Sequence, residues 1–434
     1  MKNLARSGIE GGNQFIARCD LSHALYRNPP VFVKGRNAEL WDAGGKRYLD
    51  FCAGFASVSL GHCNPELARE AYRLASTLDQ THSQLTAPCL ELAEELAKSV
   101  GNGMKSFIDT GGSAAVESCL KFAYAATGKP GVLCFQGGFH GRNLGLLQLS
   151  RGSALKKFAG IAGGPRAFHS PYAYCYRCPY GRTPSECGME CASAAVRMLE
   201  ENQREIGVVL VEPAQGSGGY VFPPNDFLKV LKEGCERTGA LLAVDEIQMG
   251  VARTGSFWCF QHSGVVPDLV IAGKGLAGGL YPLNAVIGRG DIIDSVPPGL
   301  MYSSFNGNPV GCGIALKVLE IIRRDDLCRR SVRMGNNLAK RLRELKLRSV
   351  GSIEGKGLAV GVELIRPDGT PATEETKSVI EEGLARGILL KEGGPHRNRL
   401  VLSPPLTIQE KEIDEFCSSL STTLEQVFNS ARSV

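Results

Sequence analysis

ALLAVDEIQMGVARTGSFWCFQHSGVVPDLVIAGKGLAGG, residues 240–279, contains two apolar runs that each stop at residues able to do chemistry. Residues 241–244 end at Asp245 and Glu246, and residues 269–272 end at Gly273, Lys274 and Gly275. Short continuous apolar runs bounded by turn residues predict buried parallel strands, because a sheet covered on both faces has no polar side to show. Ligands of such sheets gather beyond the carboxyl ends of the strands. An acid and an amine therefore reach one crevice from neighbouring elements.

Upstream, residues 206–211 form a further apolar run ending at Glu212-Pro213 and the glycines of 216–219, and residues 226–238 read as a helix. Residues 132–135 are strand-like and lead into the loop Gly137-Gly138-Phe139-His140-Gly141-Arg142. From 134 to 274 the chain thus repeats strand, loop and helix, the signature of a parallel α/β layer. Before it, a strand over 105–108 follows a helix over 90–100, and Asp109-Thr110-Gly111-Gly112-Ser113 opens a helix over 114–126. N–H groups at a glycine-rich helix start can hold a phosphate or carboxylate, although a plain strand-to-helix turn has the same composition.

Residues 31–52 predict an antiparallel meander with turns at 34–37 and 42–45, and Asn64 before Pro65 predicts a helix N-cap. Downstream, 302–309 is a loop, 309–345 an interrupted helical region, 357–364 a strand, 374–386 a helix and 399–402 a strand before Pro404-Pro405. A C-terminal α+β domain beginning near 305 is the economical reading.

The 434 residues suffice for a large domain and a smaller one. Their 49 basic and 44 acidic residues are scattered without a basic tract, which argues against nucleic acid as a partner. No run approaches the roughly 20 apolar residues of a membrane span, and MKNLARSGIEGGNQF lacks a signal-peptide core, so a cytoplasmic enzyme is expected. Fifteen cysteines, an odd number, leave at least one thiol unpaired and suit a reducing compartment.

The ordered set LGHCNPE (60–66), GGSAAVES (111–118), GGFHGR (137–142), VEPAQGSGG (211–219), VDEIQMGVARTG (244–255), PDLVIAGKGLAGG (267–279), SSFNGNP (303–309) and SPPLTIQEKEID (403–414) resembles the class III aminotransferases over nearly the whole chain. These are pyridoxal-phosphate (PLP) enzymes of fold type I. The resemblance implies an α/β large domain with a mainly parallel sheet flanked by helices, and a small α+β domain built from the N- and C-terminal segments. The divisions expected are 1–60 for the N-terminal segment, 61–304 for the PLP-binding domain with a cysteine-rich insert near 172–191, and 305–434 for the small domain.

It also implies roles. Lys274 would carry PLP as an internal aldimine and move the proton between substrate and cofactor. Asp245 would keep the pyridine nitrogen protonated, and Gln248 would reach the ring hydroxyl. Phe139 and Ile247 would flank the ring, Gly111, Gly112 and Ser113 would hold the phosphate, and Ser304 from a neighbouring subunit would complete that phosphate site. A homodimer with shared active sites is then the minimum assembly, a tetramer the next.

Three positions depart from the commonest family pattern, one of them Ala114 beside the phosphate loop, where the family often has Glu and where only a structural consequence is expected. Ser217 stands where many 2-oxoglutarate-using members carry Glu, and Val401 where they carry the Arg that clamps the substrate carboxylate. Arg399 lies two residues upstream on the same strand face and is the expected substitute, with Arg397 and Lys391 as further cations. Phe55 is read either as an apolar wall of the substrate pocket or as ordinary core packing. Glu212 is read either as a substrate contact or as a structural brace behind the site, and His140 as a supporting hydrogen bonder. The expected reaction is amino-group transfer from a small amine or amino acid to an oxo acid, with pyruvate or glyoxylate favoured over 2-oxoglutarate. The alternative on the same scaffold is an amino-acid racemase or epimerase, ahead of a dialkylglycine-type decarboxylase. Cys175, Cys178, Cys187 and Cys191 have a spacing compatible with four-thiolate zinc, but thiols without metal are the favoured reading.

Overall fold

The computed structural model describes residue 26 and residues 29–81, 84–150, 163–183 and 185–430; the N-terminal stretch read above for a signal peptide lies outside them. The expected meander is present as β1 (Phe32–Arg36), β2 (Glu39–Asp42) and β3 (Arg47–Asp50), paired antiparallel. Its first turn is a correction to the sequence reading. Strand β1 continues through Lys34, Gly35 and Arg36, and the chain reverses at Asn37, which takes a left-handed φ of 52°.

A seven-stranded sheet forms the centre of the molecule. Its strands are β4 (Met104–Asp109), β5 (Gly131–Phe135), β6 (Arg166–Ser170), β7 (Ile206–Val211), β8 (Leu241–Asp245), β9 (Leu269–Ala272) and β10 (Asn284–Arg289), in the order β4-β10-β9-β8-β7-β5-β6. Pairs from β9 to β6 are parallel, while β10 runs antiparallel to both β4 and β9. β4 therefore points the same way as β9, and the segments after β4, β5, β7, β8 and β9 all emerge at one edge.

The uninterrupted apolar runs are explained by the two layers that cover this sheet. Val209, Val211, Leu242, Val244, Val270 and Ala272 pack on one side, with Ala195 and Leu199 of the helix Glu190–Glu201 and Leu231 of the helix Phe227–Thr238. Val208, Leu210, Leu241, Ala243, Leu269 and Ile271 pack on the other, against Val116, Cys119 and Phe122 of the helix Gly112–Thr127. Alternate residues serve opposite cores, as the two-residue period of a strand requires. Fully burying each Val, Leu, Ile or Phe among them contributes about 1.5–3 kcal/mol.

Two smaller sheets join distant parts of the chain. β13 (Ile388–Leu389) adds parallel to β3, so the N-terminal meander and a C-terminal segment share one sheet. The other has the order β11 (Val350–Lys356), β12 (Ala359–Leu364), β15 (Arg399–Leu402), β14 (Glu392–Gly393). Stacked rings of Phe51 and Phe416 reinforce the union.

The expected helix cap at Asn64 is present, and Asn308 supplies another. Asn64 Oδ1 accepts the N–H groups of Glu66 and Leu67, and Asn308 Oδ1 accepts those of Val310 and Gly311. The helical region after 309 divides into Pro309–Arg324 and Leu327–Glu344. Among the described residues no helix is long and apolar enough to cross a membrane.

Candidate active site

The carboxyl ends of β8 and β9 bring an acid and an amine to the same edge of the sheet. The two acids after β8 part company. Glu246 is completely buried, and its carboxylate accepts the N–H groups of Cys259 at 3.0 Å and Phe260 at 2.6 Å; burial pushes it up to about 8. Asp245 keeps to the edge. Its Oδ1 accepts the Ile247 N–H at 3.1 Å, and its Oδ2 lies 2.9 Å from His140 Nδ1. Burial of His140 disfavours its charged form, but the Asp245 carboxylate outweighs burial and leaves the imidazole above its ordinary pKa. His140 is thus a supporting partner of Asp245, as the sequence suggested.

Lys274 Nζ donates to Gln248 Oε1 at 3.0 Å, and Gln248 Nε2 donates to Tyr220 Oη at 3.0 Å. Among the described residues no carboxylate pairs with Lys274, and burial pulls its pKa down to about 8. Its backbone is left-handed, with φ 45°, a conformation costly for a residue with a Cβ and concentrated at functional sites. Two glycines make the arrangement possible. A Cβ on Gly216 would stand 2.3 Å from Gln248 Oε1, and one on Gly273 would stand 1.9 Å from Asn284 Nδ2. Tyr220 and Asn284 escaped the sequence reading: Tyr220 follows a glycine turn that invited no role, and Asn284 opens β10, which was not read as a strand.

Glu212 braces two loops. One oxygen accepts the Phe139 N–H and the other the Gly216 N–H, each at 2.8 Å, tying the loop after β5 to the loop after β7. Each oxygen thus serves one backbone N–H of the loops beside the site. At the helix start, Gly111 provides no side-chain cap, and Ser113 Oγ accepts the Arg142 N–H at 3.1 Å. The same glycine turn faces Ile247, whose Cδ1 lies 3.7 Å from where a Gly112 Cβ would stand. Ser304 is exposed, with its carbonyl accepting Gln80 Nε2 at 2.9 Å.

Arg399 is not available as the expected substitute for a substrate clamp. It is fully buried, and its three nitrogens are spent on Gly219 O at 2.7 Å, Glu363 Oε2 at 3.0 Å, Tyr174 Oη at 3.0 Å and Glu354 Oε2 at 3.4 Å. Arg397 is exposed and paired with Glu392. Ser217 is half-buried, and its carbonyl accepts the Gly394 N–H at 3.0 Å. Phe55 is partly exposed beneath the Lys391 ammonium, which lies 3.9 Å from the ring centroid. Cys175, Cys178, Cys187 and Cys191 are free thiols, and among the described residues no three His, Cys, Asp or Glu side chains converge as a metal site. The insert that carries them is a structural clasp instead: Tyr174 and Arg177 both bond Glu363 on β12.

The family model for "Aminotransferase class-III" matches residues 23–424. The chain belongs to the class III aminotransferases. Among curated relatives of this class III aminotransferase, the 2-aminoadipate transaminase of Pseudomonas putida is 33% identical over 416 residues, covering 92% of this chain and 97% of the relative. A leucine/methionine racemase of Thermococcus litoralis is 34% identical over 410 residues, with 92% and 91% covered. The solved ornithine aminotransferase of Toxoplasma gondii, described with partial occupancy of PLP at its active site, superposes with a TM-score of 0.82 at 26% identity, covering 98% of this chain and all of that one. The fold is the PLP fold type I of that family.

The residues fit the family's PLP cofactor. A buried amine of lowered pKa, a carboxylate fixed at both oxygens, a carboxamide and an uncapped glycine helix start are the donor set that an aldehyde-bearing pyridine phosphate requires. One consequence is testable in solution. Cofactor-free protein is expected to capture PLP at a rate that rises with pH through about 8, where the Lys274 free base forms. Absorbance-monitored capture that follows an ordinary lysine near 10.5 would contradict the site's electrostatics.

Proposed function

We propose that this aminotransferase moves an amino group from a small amine or amino acid to an oxo acid, with pyruvate or glyoxylate preferred to 2-oxoglutarate. The observation that carries the transfer is the seat of Lys274, one hydrogen bond from Gln248 and beside the fixed Asp245 carboxylate. When bound, PLP supplies an aldehyde that condenses with primary amines and a ring that accepts the electron pair freed at the substrate Cα. Lys274 Nζ, with a pKa near 8, is partly free base at neutral pH and is the group that takes the Cα proton and returns it on the cofactor side. Gln248 aims this amine, and Tyr220 holds Gln248. Asp245, immobilised by His140 and the Ile247 N–H, is the residue that would face the ring nitrogen. Phe139 and Ile247 would flank the ring, and the N–H groups of Gly111, Gly112 and Ser113 would hold the phosphate. We read Ser304, exposed on its own subunit, as completing the phosphate site of a second copy, which makes a homodimer the working unit.

The preference for a small acceptor is supported by the commitment of Arg399. Without a free guanidinium in that strand, the bidentate grip that suits a dicarboxylic acid is missing. The amino form of the holoenzyme, mixed separately with pyruvate, glyoxylate and 2-oxoglutarate, is expected to return to the aldehyde form fastest with the first two. Fastest return with 2-oxoglutarate would overturn the preference. A racemase is the second reading, motivated by the Thermococcus litoralis relative. Its mark would be solvent deuterium entering Cα without carbonyl product.

A further inference from the structure

With Arg399 and Arg397 committed to acids, the substrate carboxylate needs another partner, and the β14–β15 pair presents one. Lys391 immediately precedes β14, and its carbonyl accepts the Val401 N–H at 2.9 Å, extending the register in which Glu392 opposes Leu400. Lys391 and Val401 are thus cross-strand neighbours whose side chains share a face. Val401 is apolar and buried, and Arg399 on the same face is committed to its acids, so the cation left for a substrate on this face is Lys391.

The ammonium lies 3.9 Å from the centroid of the Phe55 ring, and among the described residues it has no carboxylate partner. Phe55 is held there by an unusual backbone. Ala53, Gly54, Phe55 and Ala56 are all left-handed, with φ of 42°, 57°, 61° and 67°, and Asp50 Oδ1 anchors the run by accepting the N–H groups of Cys52 and Ala53. Three non-glycine residues in this conformation represent strain that the surroundings must maintain. The charged and titratable groups facing Lys391 are Lys274, Cys52, Arg142 and Glu212; burial first, then the charge of Lys274, pull the ammonium down to about 8. Glu212 spends both oxygens on backbone N–H groups, and Arg142, exposed over the Phe139 ring, is a further cation, so among the described residues the ammonium has no ion-paired counter-charge. A half-buried cation without a counter-charge is costly, and a bound carboxylate reduces that cost.

We propose that the Lys391 ammonium, seated over Phe55 on the same strand face as Val401, is the specificity-determining group that receives the substrate carboxylate. The proposal rests on the aminotransferase reading above. A single ammonium acts as a point charge and not as a two-pronged fork, which suits a small acid whose carbon chain lies against the Phe55 ring.

The test compares pentanoate with its uncharged amide, pentanamide, by calorimetry on the holoenzyme. The parent is expected to bind pentanoate at least about tenfold more tightly than pentanamide, in line with a hydrogen bond to a charged group. Lys391→Met is expected to abolish that ratio while leaving pentanamide affinity unchanged, and Lys391→Arg to retain it. In single turnovers, Lys391→Met should raise the half-saturating concentration of alanine about tenfold or more and leave isopropylamine, which has no carboxylate, within about twofold. Lys391→Gln serves where the Met variant disturbs folding. An unchanged pentanoate preference, or equal losses with alanine and isopropylamine, overturns the proposal. If the parent transfers no amino group from any donor, the aminotransferase reading falls, while the pentanoate ratio still decides the role of Lys391.

Discussion

Lys274→Ala is expected to reduce amino-group transfer by about four orders of magnitude, the upper end of what a positioned proton-transfer group contributes. The loss should appear in kcat and not in folding. Lys274 is a buried amine without an ion pair, so its removal relieves a desolvation cost and strands no opposite charge. Asp245 keeps both of its partners in the variant, because neither His140 nor the Ile247 N–H depends on the amine. Gln248 loses one contact but retains Tyr220. Stopped-flow measurement of the donor half-reaction, with urea unfolding as the control, separates the two effects. A variant that turns over at the parent rate would remove Lys274 from the mechanism.

Arg399→Met is expected to destabilise the protein by about 3–5 kcal/mol, the usual result of deleting one member of a buried ion pair. Both Arg399 and Glu363 have fully buried side chains, and the guanidinium also caps Gly219 O and bonds Tyr174. These partners come from four separate places: the loop after β7, the cysteine-rich insert, and strands β11 and β12. Their loss should therefore be felt across the molecule. The pH dependence has a definite sign. Burial already raises the Glu363 carboxyl above 4.5, against the opposing influences of Asn398 and Arg399. Without Arg399 it rises further, so the folded variant holds a proton that the unfolded chain releases. The variant's stability then falls as pH increases above 4.5 towards the folded value. Glu363→Gln added to the variant should recover part of the loss and flatten the profile. Urea titrations at several pH values check both points, and a loss below about 1 kcal/mol would place this pair among the weak surface bridges instead.

What could be read from the chain, and what could not, follows from how local each feature is. β8 and β9 are legible because an apolar run buried on both faces needs no information from elsewhere. Asn64 is equally local, since it caps N–H groups two and three residues ahead. β6 and β10 escaped because RAFHS and NAVIGR mix polar, small and apolar residues, and their pairing is decided by the neighbouring strands. Asp245 and Lys274 stood out because strand ends concentrate chemistry, whereas Gln248 was singled out only by the family resemblance. The fate of Arg399 was hidden. Its strand was read correctly, but the acids that consume it lie on β11 and β12, and only the register of that sheet brings them together. Lys391 is the complementary case, a lysine in a turn-like stretch whose position opposite Val401 emerges from the fold.

The most direct measurement is reductive trapping. Holoenzyme treated with borohydride and digested should yield a single phosphopyridoxyl-bearing peptide by mass spectrometry, with the added mass on Lys274. The same mass on Lys391 or any other lysine, or its absence from a protein that still transfers amino groups, would contradict the account.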